Sequence, residues 1–235
     1  MSGNYQRWLL AKGNVLTPGP AAIAKLVARL RKEKWLPESG GQAMRTVDKA
    51  DAAKATEKLP DAITADWIAD APEREEMRMV WSVEGDADGL KYPLNLEPEG
   101  KAKYTIELHR APEFVYPVAD NIEMLDTTCN CDEDLAFDWD EDEVVPAFKS
   151  SVGIFAECEE CSRTFDPAQE TATITNPFDE DDEDDVRGGA AYRFALKVDC
   201  GKSFAADAKL AFAKELVTLF EEEFGRSFYE VGAKY

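Results

Sequence analysis

A single histidine serves the whole chain, and its rarity closes most routes to hydrolytic chemistry. A nucleophile, a base and a group that orients the base cannot be assembled around His109, which has no second histidine or nucleophile near it. His109 is therefore expected to be a surface or satisfied residue, and no catalytic residue is assigned. Long apolar stretches are also missing. No run of eighteen apolar residues occurs, so no transmembrane helix is expected, and neither end carries a lipidation signal. No apolar segment with a cleavage site opens the chain, which points to the cytoplasm and a reducing environment, and so away from disulfides.

Basic residues are scarce in one region only. The net charge of −21 divides into +6 over residues 1–58, −7 over 59–119, −21 over 120–185 and +1 over 186–235. The third segment holds two basic residues, Lys149 and Arg163. Such a field repels phosphate backbones, because nucleic-acid binding needs Lys and Arg to displace counterions. Direct nucleic-acid binding through this segment is not expected.

The same segment contains four of the five cysteines. Cys129 and Cys131 form C-N-C, and Cys158 and Cys161 form C-E-E-C, two short thiol pairs separated by a loop. Paired thiolates on two turns can converge tetrahedrally on Zn²⁺, whose filled d shell imposes no other geometry. Residues 127–166 resemble a zinc ribbon, though C-x-C is one residue shorter than the usual turn and Ser162 stands where a zinc knuckle often has glycine. Four thiolates would leave no coordination site for water, so the resemblance implies a structural zinc. The plain alternative is four buried small side chains.

The periodicity predicts a strand at 5–10, a turn through Gly13 and Asn14, and a helix of about fourteen residues opened by Thr17-Pro18-Gly19-Pro20 and ended by Pro37. Lys25, Arg29, Arg31 and Lys32 lie mostly on its outer face, read as a solvated surface. Residues 38–60 are read as a loop with a marginal helix near 48–58. Met77, Met79, Trp81 and Val83 alternate in a strand at 77–83, a second stretch lies near 92–96, and Tyr104, Ile106 and Leu108 alternate in a third. Asp179, Glu180, Asp181, Asp182, Glu183, Asp184 and Asp185 form an unbroken acidic run, expected to be a mobile loop or a grip for a basic partner. Its spacing does not fit an EF-hand. Tyr192, Phe194, Leu196 and Val198 alternate on one face of a further strand, and a helix over about 204–224 carries Phe204, Ala208, Phe212, Leu216, Leu219 and Phe220 before Gly225. Glu221, Glu222 and Glu223 sit at the unfavourable end of its dipole, so packing must hold it.

Between that strand and helix stand Gly201, Lys202 and Ser203, half of a phosphate-binding loop. The full pattern needs a glycine five positions before Gly201, where the chain has Leu196, so the backbone cradle is missing. Ala191-Tyr192-Arg193-Phe194, Asp199-Cys200-Gly201-Lys202 and Phe228-Tyr229-Glu230-Val231-Gly232 resemble an uncharacterised bacterial family with a paired-cysteine motif, some of whose members are labelled sugar ABC transporter ATPases. The resemblance implies that the cysteines and the C-terminal strand and helix share one architecture, and it implies no activity.

These readings converge on an α+β fold: an antiparallel sheet with helices packed on one face and an inserted zinc-ribbon-like segment. The expected regions are 1–126, an N-terminal α+β part, 127–166, the insert, and 167–235, an acidic loop, strand and helix completing the fold. The expected function is non-enzymatic, an acidic zinc-binding protein with a basic protein partner such as a toxin that it neutralises. Two alternatives remain: a nucleotide-binding enzyme using Gly201, Lys202 and Ser203, and a transcription-linked zinc-ribbon factor.

Overall fold

The computed structural model describes residues 5–11, 16–46, 68, 76–84, 89–96, 103–115, 125–127, 131, 137–140, 143–146, 156–157, 160–162, 164–165, 171–176, 179–187, 192–200 and 210–234. The chain opens with strand β1 (Tyr5–Ala11), helix α1 (Pro20–Lys32), β2 (Gln42–Thr46), β3 (Glu76–Glu84) and β4 (Lys103–Val115). Seven strands follow: β5 (Leu125–Thr127), β6 (Phe137–Asp140), β7 (Glu143–Pro146), β8 (Ala156–Glu157), β9 (Thr164–Phe165), β10 (Thr171–Asn176) and β11 (Asp179–Arg187). Then come β12 (Tyr192–Asp199), helix α2 (Lys214–Phe224) and β13 (Phe228–Lys234).

Six strands make one sheet in the order β13-β1-β12-β4-β3-β2, with every neighbouring pair antiparallel. The predicted alternation holds: Met77, Met79, Trp81 and Val83 of β3, Tyr104, Ile106 and Leu108 of β4, and Phe194, Leu196 and Val198 of β12 enter one buried cluster. Ile23, Leu26, Val27 and Leu30 of α1 and Leu216, Leu219 and Phe220 of α2 enter the same cluster. Both helices thus pack against one face of the sheet, and the α+β expectation holds at that level. Trp81, Phe194 and Phe220 are fully buried, each worth about 1.5–3 kcal/mol. No helix among the described residues is long and apolar enough to cross a membrane.

Several expected boundaries move, each for a local reason. Pro20 starts α1 as the first helical residue, where its missing N–H costs nothing, and the amides of Ala22 and Ile23 donate to the Gly19 carbonyl. The helix ends before Pro37. Lys34 takes a left-handed φ of 67°, its amide donates to the Arg31 carbonyl, and the Trp35 amide reaches back to Leu30. That is a Schellman closure, sealed by the buried Trp35 and Leu30. Strand β2 occupies part of the stretch read as loop, and the marginal helix near 48–58, like the turn at Gly13 and Asn14, lies outside the described residues.

The C-terminal helix is shorter than expected. Residues before Lys214 are extended, Phe212 forms a β-bridge with Leu94, and the Ala213 amide donates to the Pro93 carbonyl. This bridge is also all that the stretch near 92–96 contributes to pairing. Phe204 and Ala208 lie outside the described residues. Gly225 ends α2 in the left-handed region at φ 63°, as expected. The acidic end of α2 is held by the basic face of α1: Arg29 bonds Glu222 and Glu223, and Lys25 Nζ lies 2.7 Å from Glu223. Half of the predicted solvated surface is therefore an inter-helix contact.

At the β13 edge, a buried Arg7 donates to Glu230 at 2.9 Å, and the same carboxylate oxygen accepts the Phe212 amide at 2.9 Å. Gly232, opposite Arg7 in register, leaves the guanidinium its space: a Cβ there would lie 2.5 Å from Arg7 Nη1. Gly232→Ala is expected to push Arg7 from Glu230 and lower stability by about 1–3 kcal/mol. Chemical denaturation of the variant checks this, and an unchanged midpoint would show that Arg7 relocates without loss.

Candidate functional site

Nothing in the sequence marked the most connected polar site of the main sheet. His109 on β4 stands between Arg78 of β3 and Ala195 of β12, on the face away from the helices, and is 4% exposed. Its Nε2 lies 3.0 Å from Glu76 Oε1, and its Nδ1 lies 2.9 Å from the Tyr192 hydroxyl. Arg78 Nε donates to the same Glu76 oxygen at 2.9 Å. The expectation of a satisfied residue rather than a surface one is the one met.

Tyr192 reaches this site because the sheet is irregular there. Strand alternation would place it with Phe194 in the helix-side cluster, as the sequence pattern suggested. The register between β12 and β4 instead shifts between Tyr192 and Phe194, and Tyr192 is absent from that cluster. Pro112, which cannot donate to a ladder, sits at this point and accepts a bond from Arg193 Nη2 at 2.7 Å.

The electrostatics assign the protons. The bond from His109, followed by those from Arg78, outweighs burial and holds the Glu76 carboxyl at about 2. Glu76 is thus a carboxylate that only accepts, so His109 Nε2 carries a proton and donates. Burial pushes the Tyr192 phenol far above its ordinary range, which keeps its hydroxyl protonated. Further along this face, Lys197 Nζ lies 5.2 Å from the centre of the Trp8 ring opposite it, and burial lowers the ammonium's pKa.

The cysteine segment divides differently. Cys131 and Cys161, one from each predicted pair, are exposed, while Cys129 and Cys158 lie outside the described residues. Strands β8 and β9 pair antiparallel and flank the C-E-E-C sequence, so this pair spans the turn of a hairpin. Ser162, directly after Cys161, has a φ of 54°. The residue standing in the glycine position adopts the left-handed conformation that glycine would supply. No group of three or more potential metal ligands converges among the described residues.

The acidic run is a strand. Residues Asp179 to Asp185 lie in β11, whose partner β10 pairs in turn with β5, so β11 forms one edge of a three-stranded sheet. The expected loop is corrected to a strand: its register runs from Thr171 with Arg187 to Thr175 with Glu183, then shifts so that Asn176 pairs with Asp179. Among the described residues, strands β5 to β11 pair only among themselves.

Gly201, Lys202 and Ser203 lie outside the described residues, but their frame is visible. The strand before them runs antiparallel to both neighbours, and α2 starts only at Lys214, so the expected helix does not run unbroken from residue 204. Cys200 is fully buried, its amide donates to the Tyr5 carbonyl, and burial pushes its thiol up to about 12 against a bond with Tyr92.

Glu76 carries a pH signature. Its folded value lies below the ordinary 4.5, so its contribution to stability is present above that value and is lost as pH falls toward about 2. Glu76→Gln is expected to melt lower than the wild type at neutral pH and to lose less on acidification from pH 4.5 to about 2. Parallel pH–melting curves for the two proteins would refute the assignment. No protein-family model, curated protein or solved structure matches this chain.

Proposed function

We propose that the chain is a non-enzymatic, acidic binding protein whose inserted segment is held by one zinc ion and engages a basic protein partner. The observation that carries the partner reading is the ordered edge position of the acidic run in β11. Every second residue of a strand shares a face, so an unbroken acidic run makes a strand acidic on both faces. Such an edge resists pairing with copies of itself and favours an extended segment rich in Lys and Arg. Each opposite-charge cross-strand pair is worth roughly 0.2–1 kcal/mol, and the field of a segment of charge −21 speeds encounter.

The zinc reading is supported by the hairpin around C-E-E-C and by the left-handed Ser162. Cys129, Cys131, Cys158 and Cys161 would hold the ion as four thiolates, a closed and structural set. Metal binding then becomes folding free energy, on the order of 10 kcal/mol for small zinc sites. Elemental analysis of reduced protein is expected to give about one zinc per chain. Cys158→Ser or a strong chelator should destabilise the segment around β8 and β9 while the six-stranded sheet survives. Metal-free protein with full stability would leave four ordinary thiols.

The partner reading is tested by replacing Asp181, Glu183 and Asp185 with their amides. Basic proteins retained by the wild-type chain should be lost from this variant and released from the wild type by about 1 M salt, where the screening length falls to roughly 3 Å. Equal retention by both proteins, or ATP binding abolished by Lys202→Ala, would favour the other readings.

A further inference from the structure

His109 is the only histidine of the chain, is nearly buried, and joins two strands through opposite ring nitrogens. The charged and titratable groups that face it are Glu76 and Arg78 from β3, Glu107 from β4, and Tyr192 and Lys197 from β12. The helices pack on the other face of the sheet. With Nε2–H committed to Glu76, only Nδ1 can change its role.

We propose that His109 is a proton-operated latch on the start of β12, closed while Nδ1 accepts the Tyr192 hydroxyl proton and opened when Nδ1 binds a proton from solvent. In the closed state Tyr192 O–H donates to Nδ1 and Nε2–H donates to Glu76, so both ring nitrogens and the phenol are satisfied. In the open state the imidazolium donates from both nitrogens. The Tyr192 oxygen must then accept. Tyr192, 6% exposed, then has an O–H without an acceptor among the described residues, and its hold on His109 weakens.

The latch acts at the end of a ladder. Tyr192 is the first residue of β12 and pairs with Val115 of β4 beyond the register shift, so opening the latch loosens the start of β12 where its pairing is already irregular.

One histidine means one imidazole signal, so histidine labelled with ¹⁵N in the full-length chain reads the latch directly. At high pH the ring should be the Nε2–H tautomer. On acidification, exchange of the Tyr192 amide should accelerate with the histidine titration. Tyr192→Phe removes the stranded proton, so exchange at residue 192 should no longer follow the histidine titration in this variant, and exchange that still follows it would overturn the latch. An Nδ1–H tautomer at high pH, or exchange at Tyr192 that ignores the titration, would overturn it in the wild-type protein, independently of how the variant folds.

Discussion

The pairing of β4 with β12 is the constraint on which the rest of the molecule depends. Their ladder joins Thr105 with Asp199 at one end and Val115 with Tyr192 at the other, so residues 116–191 leave and return at adjacent strands. Closing a long loop costs entropy only as the logarithm of its length, so the sheet can accept a large insertion if the ladder is well buried. It is: Ile106, Leu108, Phe194, Leu196 and Val198 are all nearly inaccessible. The most acidic part of the chain thus lies between two strands whose own stability owes little to it. The −21 of residues 120–185 can be selected for interaction without being balanced inside the core.

Charge inside the main body is organised by pairing across elements. Basic residues near the end of α1 suit that helix's dipole, and the glutamates ending α2 oppose theirs. Placing the two ends together lets Arg29 and Lys25 offset the repulsion at the α2 terminus. These contacts are largely at the surface, where a pair contributes at most about 1 kcal/mol, so they orient helices that the apolar cluster already holds. Arg7 and Glu230 differ. Arg7 is buried and Glu230 half-buried, and the Glu230 carboxylate accepts both the guanidinium and the Phe212 amide, which ties the last strand to the extended segment before α2. Breaking one partner there leaves the other poorly solvated.

Strands with strict alternation were legible from sequence, since a two-residue period has one interpretation when Met77, Met79, Trp81 and Val83 are all apolar. The exceptions have physical causes. Lys34 carries a glycine-like conformation that nothing in its identity announces, so the helix end was placed too late, at Pro37. Phe212 fits a helical pattern with Leu216 and Leu219, but its bridge to Leu94 satisfies it in an extended chain, and tertiary pairing overrides the period. The acidic run lacks every residue type that favours strands, so its order depends on the Thr-rich β10 beside it. The histidine site was illegible because it requires a register shift, and a shift changes which face a residue belongs to. The cysteine spacing and the Gly201-Lys202-Ser203 sequence pointed to chemistry in advance, and of those residues Cys131 and Cys161 are among the described ones.

The five cysteines separate by environment rather than by spacing alone. Thiolate is the species that binds metal, and burial raises the cost of forming it. Cys200 pays that cost in full: it lies beneath the sheet's helix side with its thiol held near 12, so at neutral pH it is a small apolar side chain. Cys131 and Cys161 are exposed, so a metal could reach them from solvent. The carboxylates crowding that segment would attract a divalent cation over long range and then leave it to softer ligands, because sulfur binds Zn²⁺ more tightly than carboxylate does. Under the proposed reading, the acidic field around these thiols would serve the capture of a cation as well as the encounter with a basic protein, so one segment could carry both a metal-held scaffold and a charged surface.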